Sequence, residues 1–251
     1  MFEAYRHSAP LAFSRAIKAW PVAFSLVIYG VVILVVGQLV SPLGLVGGII
    51  LGLVSAACLS SYVHLLSKAI QGSRLFFRDL IEGVSGRFWD VISVMFAFWI
   101  ISFGVQIVTR SLGRNGEAVA AMIALAMAFF FNAVPELLYL GRSRSFSLLA
   151  ESGRFVVRNP VAWFLPNLVL ATLLLLPSGR LAVHDPRELL LVFSHIFTPS
   201  GVATALLSVP YWMIVILLLL LHLAMVFRGL LFVELESGNP RLRAFRRAAG
   251  S

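Results

Sequence analysis

Apolar and polar positions along the chain sort into long runs almost free of charge, separated by short stretches in which the two alternate with helical spacing. Six runs are long and apolar enough to cross the roughly 30 Å hydrocarbon layer of a bilayer as helices: residues 21–40, 43–66, 88–108, 118–140, 161–176 and 211–233. Three of the intervening stretches are amphipathic. In residues 10–20, Phe13, Ala16, Ile17 and Trp20 share a stripe that Arg15 and Lys18 avoid. In 73–87, Phe76, Phe77, Leu80, Ile81 and Val84, continued by Phe88, oppose Arg74, Arg78, Glu82 and Ser85. In 144–158, Arg144, Ser147, Glu151, Arg154 and Arg158 form the polar stripe, with Phe146, Leu149, Phe155 and Val156 elsewhere. Such helices are expected to lie flat on the inner membrane surface. The pattern predicts an all-α polytopic membrane protein, a single integral domain over 1–251 with six transmembrane helices and three surface helices, arranged as three repeated hairpins.

Part of that repetition is visible as sequence. SRAIKAWPVAF from Ser14 to Phe24 matches GRFVVRNPVAW from Gly153 to Trp163 in its Arg, its Pro-Val-Ala and a following aromatic. The middle copy, around Gly86, Arg87, Phe88 and Trp89, keeps the basic residue and the aromatics without the proline. The second span carries Gly44, Gly48, Gly52, Ala56 and Ser60 at four-residue spacing. Glycines at that density are unfavourable in a water-exposed helix, whereas in lipid they let neighbouring helices approach backbone to backbone. This helix is therefore expected at the centre of the bundle. The connection between the last two spans is too long for a simple turn and holds two helix starts, Asp185-Pro186 and Thr198-Pro199. They predict short outer helices over 186–197 and 199–209.

Composition agrees with the pattern. Sixty per cent of the residues are hydrophobic and 12% charged, with mean hydropathy +0.95, more apolar surface than a soluble domain of this length could bury. Of 20 Lys and Arg, sixteen fall in connections or ends of one side; Arg110, Arg114, Arg180 and Arg187 fall on the other. The positive-inside rule then puts both termini in the cytoplasm. The net charge of +9 is thus a topology signal that favours anionic lipid on the cytoplasmic side and gives no reason to expect nucleic acid. The first apolar run starts too late and is too long for a cleavable signal peptide. Eighteen Arg against two Lys fits a GC-rich bacterial genome, and the expected location is the bacterial inner membrane.

Candidate chemistry is sparse. Glu136 follows Asn132 and Pro135 near the inner end of the fourth span. Ionisable groups inside a membrane are costly and mark functional or structural pairing, so Glu136 is either a kinked helix's carboxylate paired with Arg142 or another inner arginine, or a proton or cation site. Asn132 is placed to satisfy a carbonyl freed by Pro135. His64 and His222 sit at similar depths near the inner ends of the second and sixth spans; haem ligation is conceivable chemistry for such a pair, but nothing else supports it and no cofactor is expected. Gln38, Gln106, Asn167 and Ser55 read as interhelical hydrogen-bonding groups, and Trp89, Trp99, Trp163, Trp212 and Tyr62 as an interfacial aromatic belt. Cys58 stands alone, without a disulfide or metal framework. No phosphate-binding loop, paired-His motif or nucleophile set is present.

Two resemblances follow. The aromatic-basic segments, above all SFSLLAESGRFVVRNPVAWF from Ser145 to Phe164, look like the surface helices of bacterial six-helix proteins related to the membrane domain of glycerophosphodiester phosphodiesterases. That resemblance implies no catalytic residue here, because the catalytic domain of such proteins is separate. The amphipathic amino-terminal helix, six spans and short helices before the last span are similar in architecture to exporter-type ABC transporter permeases. That likeness implies a separate ATPase touching 73–87. The expectation is a non-enzymatic structural or assembly subunit, partnered by other membrane subunits or by copies of itself, with a transport permease as the alternative.

Overall fold

The structure, a computed structural model, describes residues 2–113, 116–140, 146–175 and 211–236. In chain order the described helices are α1 (Phe2–Lys18), α2 (Pro21–Val40), α3 (Leu45–Gln71), α4 (Phe77–Gly86), α5 (Phe88–Ser111), α6 (Gly116–Phe130), α7 (Val134–Leu140), α8 (Ser147–Arg158), α9 (Pro160–Leu175) and α10 (Tyr211–Glu236). The expected outer helices over 186–197 and 199–209 lie outside the described residues.

Among the described residues five helical stretches are long and apolar enough to cross a membrane: Pro21–Leu43, Leu45–Gln71, Phe88–Ser111, Ala118–Leu140 and Ile214–Glu236. The chain is thus an all-helical protein of the multi-pass membrane type. The expected fifth span corresponds to α9, described over 16 residues from Pro160 to Leu175, about 24 Å at 1.5 Å per residue; the residues that follow lie outside the described ones. The expected fourth span is two helices, because the chain breaks between Phe130 and Val134.

Surface helices and spans meet where backbone rules demand. Pro21 and Pro160 each open a helix, at the first position, where a missing amide hydrogen costs nothing. Residues 10–20 were expected to form the first surface helix; it begins earlier, at Phe2. Its contact with the bundle is a stripe of small residues, Ala4, Ser8, Ala12, Ala16 and Ala19, packed along α10. Phe13, Ile17 and Trp20 point away and are exposed. The second surface helix, α4, behaves in the same way. It docks on α3 through Asp79, Leu80 and Gly83, leaving Phe76, Phe77 and Ile81 outward. Small residues grip the protein; large apolar ones face what surrounds it.

α3 is central, touching α1, α2, α4, α5, α7 and α10. Its glycine ridge is used differently from expectation. Gly44 is outside the helix, at its N-cap with φ of +55°, a conformation that favours glycine. Side chains built at Gly48 or Gly52 would meet nothing within 4 Å, whereas Ala56 and Ser60 are buried. Only the second half of the ridge packs, and its Ser60 hydroxyl donates to the Gly83 carbonyl of α4 at 2.8 Å. A Cβ at Gly83 would lie 3.0 Å from the Ser61 Cα. The close approach made by α3 is therefore to a surface helix.

The glycines that leave α2 and α5 match in backbone conformation. Gly44 and Gly113 have φ of +55° and +54°. Three residues after each, a side chain at Gly47 would strike the carbonyl of Val40, and one at Gly116 the carbonyl of Thr109. Both connections read Leu-Gly-x-x-Gly in sequence.

Candidate functional site

The break in the fourth span gathers the buried polar groups. Pro135 cannot donate to the carbonyl one turn back; that carbonyl, on Phe131, accepts from the Val134 amide at 3.1 Å instead. The loose ends on either side are tied by α8, where Ser152, fully buried, donates to the Phe130 carbonyl at 2.8 Å and accepts from the Ala133 amide at 3.2 Å. One hydroxyl thus bridges the gap between α6 and α7.

Just beyond the break, Glu136 has no exposed surface. Arg228 of α10 embraces it, with Nε donating to Oε1 at 2.7 Å and Nη2 to Oε2 at 3.0 Å. This is the forked pairing that guanidinium and carboxylate planes favour. The same Nη2 also donates to the Asn132 carbonyl at 2.7 Å, so one cation both neutralises the carboxylate and satisfies backbone at the break. Asn132 turns its side chain away from the backbone gap predicted for it: its Oδ1 accepts from the Trp163 indole at 2.9 Å and from Arg228 at 3.3 Å. The Trp163 ring then lies 5.0 Å from the Arg228 guanidinium carbon, close enough for cation–π attraction. Three helices, α7, α9 and α10, meet at these four side chains. Tyr139, also fully buried, closes the cluster; a side chain at Gly229 would strike Ile70 of α3 and the Tyr139 hydroxyl, so glycine there lets α10 approach α3 and α7.

Trp163 and Tyr62 were expected in the interfacial belt, but both are buried within the bundle, Trp163 because its indole hydrogen is needed by Asn132. Trp89 and Trp99 are exposed; the side chain of Trp212 lies outside the described residues. Asn167, expected to bond between helices, donates to the Trp163 carbonyl of its own helix at 2.7 Å. The interhelical bond at that level is made by Tyr5 of α1, whose hydroxyl donates to the Ala162 carbonyl at 2.8 Å. Ala162 is four residues before Pro166, which has no amide hydrogen to offer it.

The two histidines face different partners. His222 is buried with Nε2 3.3 Å from the Ala16 carbonyl, whereas His64 sits beside Gly83 and Gly86 of α4. Among the described residues no three His, Cys, Asp or Glu side chains cluster as a metal site would require.

Sequence reasoning singled out Glu136 and Asn132 and missed Ser152 and Trp163 as supports of the break and of Asn132, and Tyr5 as the partner of the Ala162 carbonyl. Arg228 was counted only toward topology. Its position was the available signal: it lies five residues inside the end of the expected span 211–233, deeper than an arginine that merely marks the inner boundary.

Fold and site together define a multi-pass helical membrane protein with an ion-paired hub at a broken span. No protein family matches the chain, and neither a curated protein nor a solved structure does.

Proposed function

We propose that this is a non-enzymatic, six-span protein of the bacterial inner membrane, with both termini in the cytoplasm, serving as a structural or assembly subunit of a membrane complex or as a homo-oligomer. The observation that carries the reading is the closed Glu136–Arg228 pair. Both carboxylate oxygens are engaged and the guanidinium is spent on a backbone carbonyl besides, so the intramembrane charges act as a staple between α7 and α10. A proton site needs a carboxylate that can release its partner. This one would leave a buried arginine without its carboxylate on doing so.

Two features support the membrane-subunit part. The spans containing α5 and α6 are only 17% and 11% buried within the chain, against 65% for the last, which leaves long apolar faces for lipid or for other subunits. The surface helices turn Phe13, Trp20, Phe77 and Ile81 outward, where a headgroup layer would receive them. The sixth crossing is supported by direction. Trp163 near the start of α9 and Phe232 near the end of α10 have rings 6.1 Å apart. α9 thus leaves the end of the bundle at which α10 arrives. The shared Leu-Gly-x-x-Gly connections and the paired Pro21 and Pro160 junctions favour a duplicated hairpin.

A transport permease remains the competing reading, favoured by one observation: broken spans line the substrate sites of many transporters, and the fourth span is broken. The purified protein in liposomes loaded with a pH-sensitive dye separates the two. The structural reading expects an imposed proton gradient to decay at the rate of empty liposomes. Faster decay abolished by Glu136→Gln contradicts it and makes Glu136 a proton carrier.

A further inference from the structure

α8 is bordered on both flanks by open space. On the α6 side lies an apolar groove of about 490 Å³, lined by Phe130, Phe131, Leu149, Ala150, Gly153 and Val157. On the α10 side lies a cleft of about 520 Å³ whose walls include Phe155, Asn159, Phe232 and Leu235, together with Glu151 and Glu236. Arg154 and Arg158 border both. They are one turn apart on one helix face, where side chains four residues apart are neighbours, and both are exposed. Neither makes an ion pair among the described residues. The apolar groove itself is bordered by these two arginines and by no acidic residue, so the charge at its edge is positive.

The groove also has a continuation. Met122, Leu125 and Phe129 form an exposed apolar row on α6 leading away from the groove along the span. A ligand suited to this arrangement is anionic at one end and long and apolar at the other. Two guanidiniums offer forked donors to phosphate oxygens, and the groove removes an alkyl chain from polar surroundings. Resting on the membrane reading above, we infer that Arg154, Arg158 and the α6–α8 groove form a binding site for one anionic phospholipid of the inner leaflet. The phosphate lies between the two arginines and an acyl chain runs over Ala150 and Val157 toward Phe129. Bound there, the lipid clamps α8 to α6, the helix pair whose junction Ser152 already bridges.

The test is native mass spectrometry of the full chain in detergent, titrated with phosphatidylglycerol and, separately, phosphatidylcholine. Arg154→Ala/Arg158→Ala is compared with Arg74→Ala/Arg78→Ala, which removes the same charge from α4 and the residues just before it. Ala150→Trp, at an exposed position, fills the groove and keeps both arginines. The site predicts one retained phosphatidylglycerol, weakened roughly tenfold or more in the α8 double variant, weakened in Ala150→Trp, and unchanged in the α4 variant. Equal loss in both double variants, equal binding of phosphatidylcholine, or displacement by soluble glycerol phosphate at the same concentration would overturn it. Recovery of the wild type in the membrane fraction scores the membrane reading separately.

Discussion

Glu136 and Arg228, 92 positions apart in sequence, form a two-pronged ion pair with less than 5% of either side chain exposed. Breaking such a pair from one side strands a buried charge, at a cost of about 3–5 kcal/mol, while removing both charges together is far milder. Glu136→Ala and Arg228→Ala should each lower the thermal unfolding midpoint in detergent sharply. Glu136→Met/Arg228→Met should recover much of the loss, although the Asn132 carbonyl then lacks its donor. Additive losses in the double variant would show that the two residues do not act as a pair.

The Tyr5 hydroxyl and Pro166 are linked through a carbonyl that neither owns. Tyr5→Phe should destabilise by about 1–2 kcal/mol by leaving the Ala162 carbonyl unsatisfied. Pro166→Ala supplies an amide at the position that would normally serve it, so the double variant should tolerate the loss of the hydroxyl. Thermal unfolding of the four proteins measures this. Equal effects of Tyr5→Phe with and without Pro166 would sink the explanation.

Docking of α4 depends on pH through Asp79. Burial works against its charge, yet hydrogen bonds from Lys68 at 2.5 Å and from the Phe76 amide at 2.8 Å outweigh that and hold the carboxyl below its usual range. A lowered pKa in the folded state stabilises above the ordinary aspartate value near 3.9 and loses that contribution as pH falls through the lowered one. A spin label at Ser85→Cys should stay ordered at pH 5 to 7 and gain mobility below about pH 4. Asp79→Asn should show that mobility at neutral pH. A label indifferent to both changes would mean that Gly83 and the Ser60 and Ser61 hydroxyls hold α4 alone.

The elements were legible because their cause is local. Apolar runs and helical periodicity set α2, α3, α5, α10 and all three surface helices, with Pro21 and Pro160 marking the junctions. What escaped depends on partners distant in sequence. Pro135 announced a kink, but Ser152 of α8 and Arg228 of α10, both distant in sequence, make a full break tolerable there. The glycine spacing announced close packing, but not that Gly48 and Gly52 would face outward while Ala4, Ser8, Ala12 and Ala16, a stripe without any glycine, made the tighter seam with α10. Glu136 was visible as costly; its partner required knowing that α7 and α10 are neighbours, a fact of topology that no single helix encodes.

The central claim is that the chain works as a part of something larger held in the membrane. Its most direct test is the mass of the particle released from the native membrane in mild detergent or polymer discs, with its subunits identified and counted. The account predicts a defined multiple of the 27.5 kDa chain, or that chain at fixed stoichiometry with other integral membrane subunits. A lone 27.5 kDa monomer, or a stoichiometric ATPase as partner, would contradict it.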